Sequence, residues 1–573
     1  MGSTRLLDTS VGIDADGNLW LWGYFGALND DLKYLDVGGP GGGPNGAPSN
    51  PVHGTVSDYY NPPTRFQALN NITSVVGTAY TVHALDANGN LWAWGDLSFL
   101  GGLKDIKGNK APEKVPNGAN QYNLAVSTWQ PIAQNVSDVA AAEYATAYLI
   151  NGKVWTTGHN SFGQRGLGVH GSSISADRPT QIPDANWQIL SVASGGTGKV
   201  PVIVAVYDGY EGFMAQDDHG NIYAWGRSFE NGLGTSGYFL NGGKDAGGHT
   251  QNNENFVYDP TTFPTSTLAG KGGSVVTYSS TVGRVSNDWY VVKPIFIPEV
   301  TKLGKEHGGI KEIILGYQHG VALTQDGSVL LWGSNEGNRN AAGRGDVGTR
   351  DDYKEGLRPY ELCLDANGRQ PLSAAATKKD AQYPVSVGCT PVKANSITSG
   401  MFAGSFVTTD GKVYAWGSHE LGGAFGTRAQ RTGAAPNAGT GTSDQKDGYK
   451  NEANTLRLVW DPALDEPLHR KAWAVSSNKD ASFLQLEDYT IWVWGENGAG
   501  AACAGYGYKS CGPDYWGPGT YGSTLPSTTK KDATKARDIP TAPYGSGYYI
   551  ADGDGLYVWP PLPVGAAGLR FKP

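Results

Sequence analysis

Asp14, Asp16 and Asn18 stand in the order DxDxN, the opening of a calcium loop in which alternate oxygen side chains converge on one cation. The twelfth position of such a loop is a bidentate Glu, and here it is Phe25. The same turn recurs along the chain without the acids, so a hairpin turn built on Asp-Gly or Asn-Gly accounts for it. The Asp-Gly-Asp-Gly run from Asp552 to Gly555 has the same explanation. The ten histidines form neither an HxxxH pair nor a His/Cys cluster at ligand spacing. No GxSxG elbow, P-loop or dinucleotide fingerprint is present. A carboxylate pair for carbohydrate hydrolysis would be assembled from distant loops and leaves no local trace. The residues therefore point to no catalytic group, no cofactor and no metal.

Four cysteines lie in segments that read as loops. Cys503 and Cys511 bracket a short Gly/Tyr loop, and Cys363 and Cys389 bracket a longer insertion. Either pair is a candidate disulfide, and four free thiols is the alternative, because spacing alone does not establish a bridge. Neither pair has the CxxC spacing of a zinc site. The first loop continues with Tyr506, Tyr508, Tyr515, Trp516 and Tyr521 interleaved with glycine. Rigid aromatics offer large contact area at low entropic cost, which suits partner recognition or sugar stacking. The same rings would equally serve to pack the loop onto its own sheet.

These loops hang on a repeated element. A glycine turn followed by an apolar ribbon and Trp-Gly occurs at Asp14–Gly23, Leu85–Gly95, Ile150–Gly158, Asp217–Gly226, Thr324–Gly333 and Thr408–Gly417, with Thr in place of Trp in the third. Two worn copies follow at Leu486–Gly495 and Ala551–Pro560. In the second copy Leu91 and Ala93 face one side while Trp92 and Trp94 face the other. Both faces are apolar, one slim and one bulky, so the ribbon is expected to be covered on both sides. Upstream lies a further strand of the form IxxVxxG, as in Ile72–Gly77, Ile310–Gly316 and Ala394–Gly400, and a Gly-rich stretch follows. Inward strand, hairpin and return strand together predict a four-stranded antiparallel blade.

The stretches from Gly316 (GYQHGVALTQDGSVLLWGSNEG) and from Ile150 (INGKVWTTGHNSFGQRGLG) resemble the regulator-of-chromosome-condensation repeat. The resemblance runs nearly the whole chain. It implies an all-β propeller, typically of seven blades with both chain ends joined in one sheet, whereas the raw hairpin count is eight. The family histidine appears as His319, while Tyr80, Ala403 and Asp480 stand near its place in other repeats. The whole chain reads as one propeller domain, with insertions at 31–63, 235–298, 357–391 and 503–523 as loops on the ring faces. Within the second, VVTYSSTV and WYVVKPIFI suggest an extra hairpin.

The 573 residues carry a formal charge of -9, against a nucleic-acid partner, which would call for a concentrated basic stripe. No run of 18 apolar residues exists, so no membrane insertion is expected; the longest, around Val200 to Tyr207, suits a strand. The N-terminus lacks the apolar stretch of a secretory signal, consistent with a protein that stays inside the cell or leaves without cleavage. Low charge, Gly/Asn/Thr/Tyr-rich loops and loop cysteines lead to a non-enzymatic recognition or assembly propeller, of the kind found in several copies on the exterior of a particle such as a phage tail or baseplate. Its partners would be other proteins or a surface glycan. The resemblance implies a different reading, guanine-nucleotide exchange or another regulatory role inside the cell, and a carbohydrate hydrolase is a third.

Overall fold

The computed structural model describes, apart from breaks of one to three residues, residues 9–23, 37–38, 61–66, 69–95, 130–169, 179–234, 238–240, 256–258, 288–333, 357–364, 389–417, 457–463, 470–496, 537–538 and 548–563. It is an all-β propeller of four-stranded antiparallel blades, six of which are formed among these residues. The second shows the plan: inner strand Ile72–Gly77, hairpin strands Thr81–Asp86 and Leu91–Gly95, and return strand Gln130–Ala133. The Trp-Gly ribbon is the third strand. Its two faces are both covered, as its composition requires: Leu91 and Ala93 are fully buried and Trp92 is partly buried. Trp225, Trp332, Trp416 and Trp494 of the later ribbons are among the largest fully buried side chains.

Room for those indoles comes from the neighbouring strand. Gly320 pairs with Trp332 and Gly404 with Trp416, and a Cβ at either glycine would sit inside the ring of its partner. The indole N–H then reaches into the preceding sheet. Trp225 donates to the Gln164 carbonyl at 2.8 Å and Trp332 to the Gly232 carbonyl at 3.0 Å. Both acceptors lie in the Gly-rich stretch that follows the preceding ribbon, which explains why that stretch accompanies the repeat.

Successive sheets are also fastened at their inner strands. The first N–H of an inner strand donates to the carbonyl of the preceding hairpin's turn glycine: Ile72 to Gly17, Val136 to Gly89, Ile203 to Gly152, Ala394 to Gly327 and Ala472 to Gly411, at 2.8 to 3.1 Å. These glycines have φ between +74° and +87°, where an L side chain is strained. The backbone of the next strand also lies so close that a Cβ at Gly17 would be 3.1 Å from the Asn71 Cα. One seam differs. After the turn at Gly220 the chain inserts the helix Pro298–Glu306, whose Thr301 hydroxyl accepts the Ile222 N–H and whose Lys305 ammonium donates to Asn221. This helix was not expected, although Pro298 at its first turn and Glu299 beside it are ordinary start signals.

The hairpin count left the place of the last copy open, and three other expectations need correction. The eighth hairpin builds no sheet of its own: Tyr548–Asp552 and Gly555–Pro563 extend the sheet of Ala472–Ser477, Ala481–Leu486 and Ile491–Glu496 to six strands. No sheet among the described residues joins the two chain ends; the first sheet holds Thr9–Ile13 and the six-stranded sheet holds the last strand. The residues WYVVKPIFI belong to Asp288–Phe296, the return strand of its blade, because Val291, Val292 and Ile295 are core residues; an extra pair does form, from Tyr238–Leu240 and Phe256–Tyr258. Likewise Leu357–Glu361 is a return strand, so the third insertion begins later than the composition suggested.

Replacing Gly404 by Ala forces a methyl against the buried Trp416 indole. Overpacking of this kind costs about 1–3 kcal/mol. Thermal or urea denaturation is expected to show that loss, and an unchanged midpoint would contradict the packing described.

Candidate functional site: the hairpin-turn face

At one end of the propeller the hairpin turns and the starts of the inner strands meet. Every described inner strand begins with a register irregularity, a β-bulge that places one extra residue out of the ladder. The residue at this position is Thr73, Ser137, Val204, Lys311, Asn395 or Trp473 in turn, and each is exposed. Six side chains of different chemistry are thus delivered to one end by one backbone device.

The turns beside them are held by carboxylates in two ways. Asp14, Asp86 and Asp217 open their turns, and each Oδ1 accepts the N–H groups two and four residues on. The Oδ2 of Asp14 and Asp86 accepts the indole N–H of Trp20 and Trp92. In the later turns the acid moves two places, to Asp326, Asp410 and Asp488, and binds the hydroxyl of Thr324, Thr408 or Thr490. Burial, the largest single influence, opposes ionisation, but the hydrogen-bond donors together outweigh it, so Asp14, Asp86, Asp326, Asp410 and Asp488 all sit below the usual carboxylate range. For Asp326 the depression is large, with the Lys393 ammonium 2.8 Å away. The Asp14 oxygens are engaged by protein donors within the hairpin turn. The one group of acid and histidine side chains close enough for a metal among the described residues, Asp217, Asp218 and His219, is such a turn. Its Asp217 already accepts two backbone N–H groups and the Asn221 amide.

Two hollows open on this face. One, of about 220 Å³, lies between the Asp217–His219 turn and the segment Leu190–Val202. Val202 lines it, and Val202 with its sequence neighbours Ile189, Val192 and Val204 is 50 to 77% exposed. The other, of about 230 Å³, lies at the seam before the six-stranded sheet, beside Trp473 and Tyr489. The sequence reading singled out none of these residues. Val202 and Val204 stand in the longest apolar run, which suits a strand; the bulge leaves Val204 exposed.

The opposite end carries a tighter network. Arg227 pairs with Glu211 at 2.6 Å and lies 4.5 Å over the Phe162 ring. The Tyr210 hydroxyl donates to Glu143 at 3.1 Å, and its ring meets Tyr317 edge-on at 4.9 Å. Burial first, then the two glutamates, push the Tyr210 hydroxyl well above its ordinary value. Here two carboxylates approach the same surface, yet Glu143 is spent on Tyr210 of the next blade and Glu211 on Arg227 of its own sheet.

His319 is buried in its sheet, with Nε2 2.7 Å from the Ser399 hydroxyl of the next one, a framework role. The register places Thr81, Ala145, Gly212, Ala403 and Ala481 at the equivalent position, so Tyr80 and Asp480 are each one residue off it. Cys363 and Cys389 are disulfide-bonded, with Cα atoms 5.6 Å apart, beside the paired strands Cys363–Leu364 and Thr390–Pro391. Cys503, Cys511, Tyr506, Tyr508, Tyr515, Trp516 and Tyr521 lie outside the described residues. No helix among the described residues is long and apolar enough to cross a membrane.

Radial sheets, Trp-Gly ribbons and Gly-rich interblade sockets make this an all-β propeller with repeats of the RCC1 type. It is similar to Protein RCC1 of Candida albicans, at 24% identity over 444 residues and 73% of each chain. It is also similar to the E3 ubiquitin-protein ligase HERC2 of Homo sapiens, at 23% over 378 residues, which is 63% of this chain and 6% of that one. The solved structure of Prp20p from Saccharomyces cerevisiae, described with its binding to Gsp1p and histones, has a TM-score of 0.49 and 15% identity, covering 97% of this chain and 94% of that one. No family model matches the chain.

The turn acids carry a pH signature. Because the folded value of Asp326 is depressed, its contribution is complete above the ordinary value of 3.8 and is lost as the pH falls below it. Asp326→Asn is therefore expected to lower the urea midpoint at neutral pH, with the gap to the parent closing in acid. A gap independent of pH would show that the carboxylate does not hold the turn.

Proposed function

We propose that this protein is a non-enzymatic recognition propeller that binds another protein through its hairpin-turn face. The observation that carries this reading is the exposed set Ile189, Val192, Val202 and Val204, of which Val202 lines the hollow at the Asp217 turn. Open apolar side chains on a rigid face favour a partner that removes them from water. The bulged starts of the inner strands place polar residues and a lysine around the same end, in keeping with an apolar centre and a polar rim.

Similarity to Protein RCC1 supports a regulatory interaction protein, and nucleotide exchange on a small GTPase is the specific form this would take. A place on a particle exterior rests on composition alone. The test is cross-linking of the whole chain in extract of its own cells, with the parent compared with a Val192→Asp, Val204→Asp double variant of equal melting temperature. Loss of a discrete cross-linked protein in the variant is expected, with binding weakened about tenfold or more when the captured protein is purified. Equal capture by both would remove this patch from the account. If the captured protein is a GTPase, accelerated release of fluorescent GDP distinguishes exchange from simple binding.

A further inference from the structure

The last Trp-Gly hairpin departs from the rule of the others. In six equivalent turns the left-handed position is Gly17, Gly89, Gly152, Gly220, Gly327 or Gly411. In this one it is Tyr489, at φ +69°. No described inner strand follows this turn, so the ring has space, but the backbone strain of a large L residue remains. Glycine would remove that strain. Its retention is the kind of local cost found where a side chain has a task.

The task is suggested by what stands beside it. Tyr489 is 43% exposed and lines the 230 Å³ hollow with Trp473, the bulged residue of the adjacent inner strand, which is 56% exposed. Lys471, Glu487, Asn395 and Thr409 complete the rim. Two open aromatic side chains, one cation, one anion and two neutral hydrogen-bonding groups thus surround a space suited to a single small ring. A cationic ligand would face Lys471 and an anionic one Glu487. A neutral ring with an apolar face and hydroxyl groups at its edge satisfies all of them: the face packs on the aromatics, while hydroxyls accept from Lys471 and donate to Glu487.

We propose that this seam pocket binds one neutral hexose unit of a glycan. The assignment is independent of the protein-binding reading, since it uses a different hollow on the same face. The test is calorimetric or saturation-transfer titration of the full chain with the methyl glycosides of glucose, galactose, mannose and N-acetylglucosamine, and with neutral disaccharides of each, at millimolar concentration. Binding of at least one is expected, weakened about tenfold or more in Trp473→Ala. Tyr489→Gly keeps the fold informative, because it restores the residue that the other turns use. It is expected to melt at or above the parent temperature while losing sugar binding to the same degree. No binding by any of these sugars, or equal binding by both variants, would overturn the proposal. So would binding of a lysine- or arginine-containing peptide in place of every sugar.

Discussion

One peptide group fastens each sheet of this propeller to the next at five of its described seams. The first N–H of the inner strand is given to the carbonyl of a turn glycine in the preceding sheet. That bond fixes how deep each hairpin turn sits against its neighbour and therefore where the following bulge falls. The turn must be glycine, since both the positive φ and the closeness of the next backbone exclude a side chain. The indole of the next ribbon, lodged in the Gly-rich stretch of the preceding sheet, fixes the opposite side of the Gly152 interface and of the differently fastened one at Gly220. With both held, the sheets stack as rigid plates and their exposed ends become a surface of fixed geometry.

The seam that lacks this bond shows what it normally does. At Gly220 the helix Pro298–Glu306 takes over, accepting the Ile222 N–H through Thr301 and reaching Asn221 through Lys305. A different element supplies equivalent hydrogen bonds at the same level of the ring. In the same sheet and the segment before it Ile189, Val192, Val202 and Val204 are open, Val202 beside the Asp217 turn. At the last turn, where no described strand presses on the left-handed position, a tyrosine replaces the glycine. Both candidate binding regions lie beside regularly fastened strand starts, Ile203 and Ala472, next to turns whose own following seam departs from the rule.

Much of the fold was legible because the ribbons are apolar on both faces, and only a stacked sheet covers both. The inward strands were equally plain: Ile72–Gly77 and Ala394–Ser399 fall where their IxxVxxG or related pattern placed them. The candidate site was not legible, for a physical reason. Alternation assigns Trp473 and Val204 to a buried strand, but one extra residue at each bulge moves them out of the ladder and into solvent. Nothing in AWAV or IVAV marks that irregularity. The return strand Asp288–Phe296 was misplaced because a long Gly-rich segment separates it from its hairpin, so its apolar pattern read as part of an insertion. Tyr489 lies in the worn hairpin Leu486–Gly495, and its meaning depends on comparing its φ with those of the six glycines.

The fastening itself is the claim to test, by native-state hydrogen exchange at the amides of Ile72, Val136, Ile203, Ala394 and Ala472. If each is held by the preceding turn, all five exchange only through global unfolding, with protection matching the buried amides of the central strands. Rapid exchange at these amides, while the strand interiors stay protected, would mean that the sheets open from one another freely and would contradict the account.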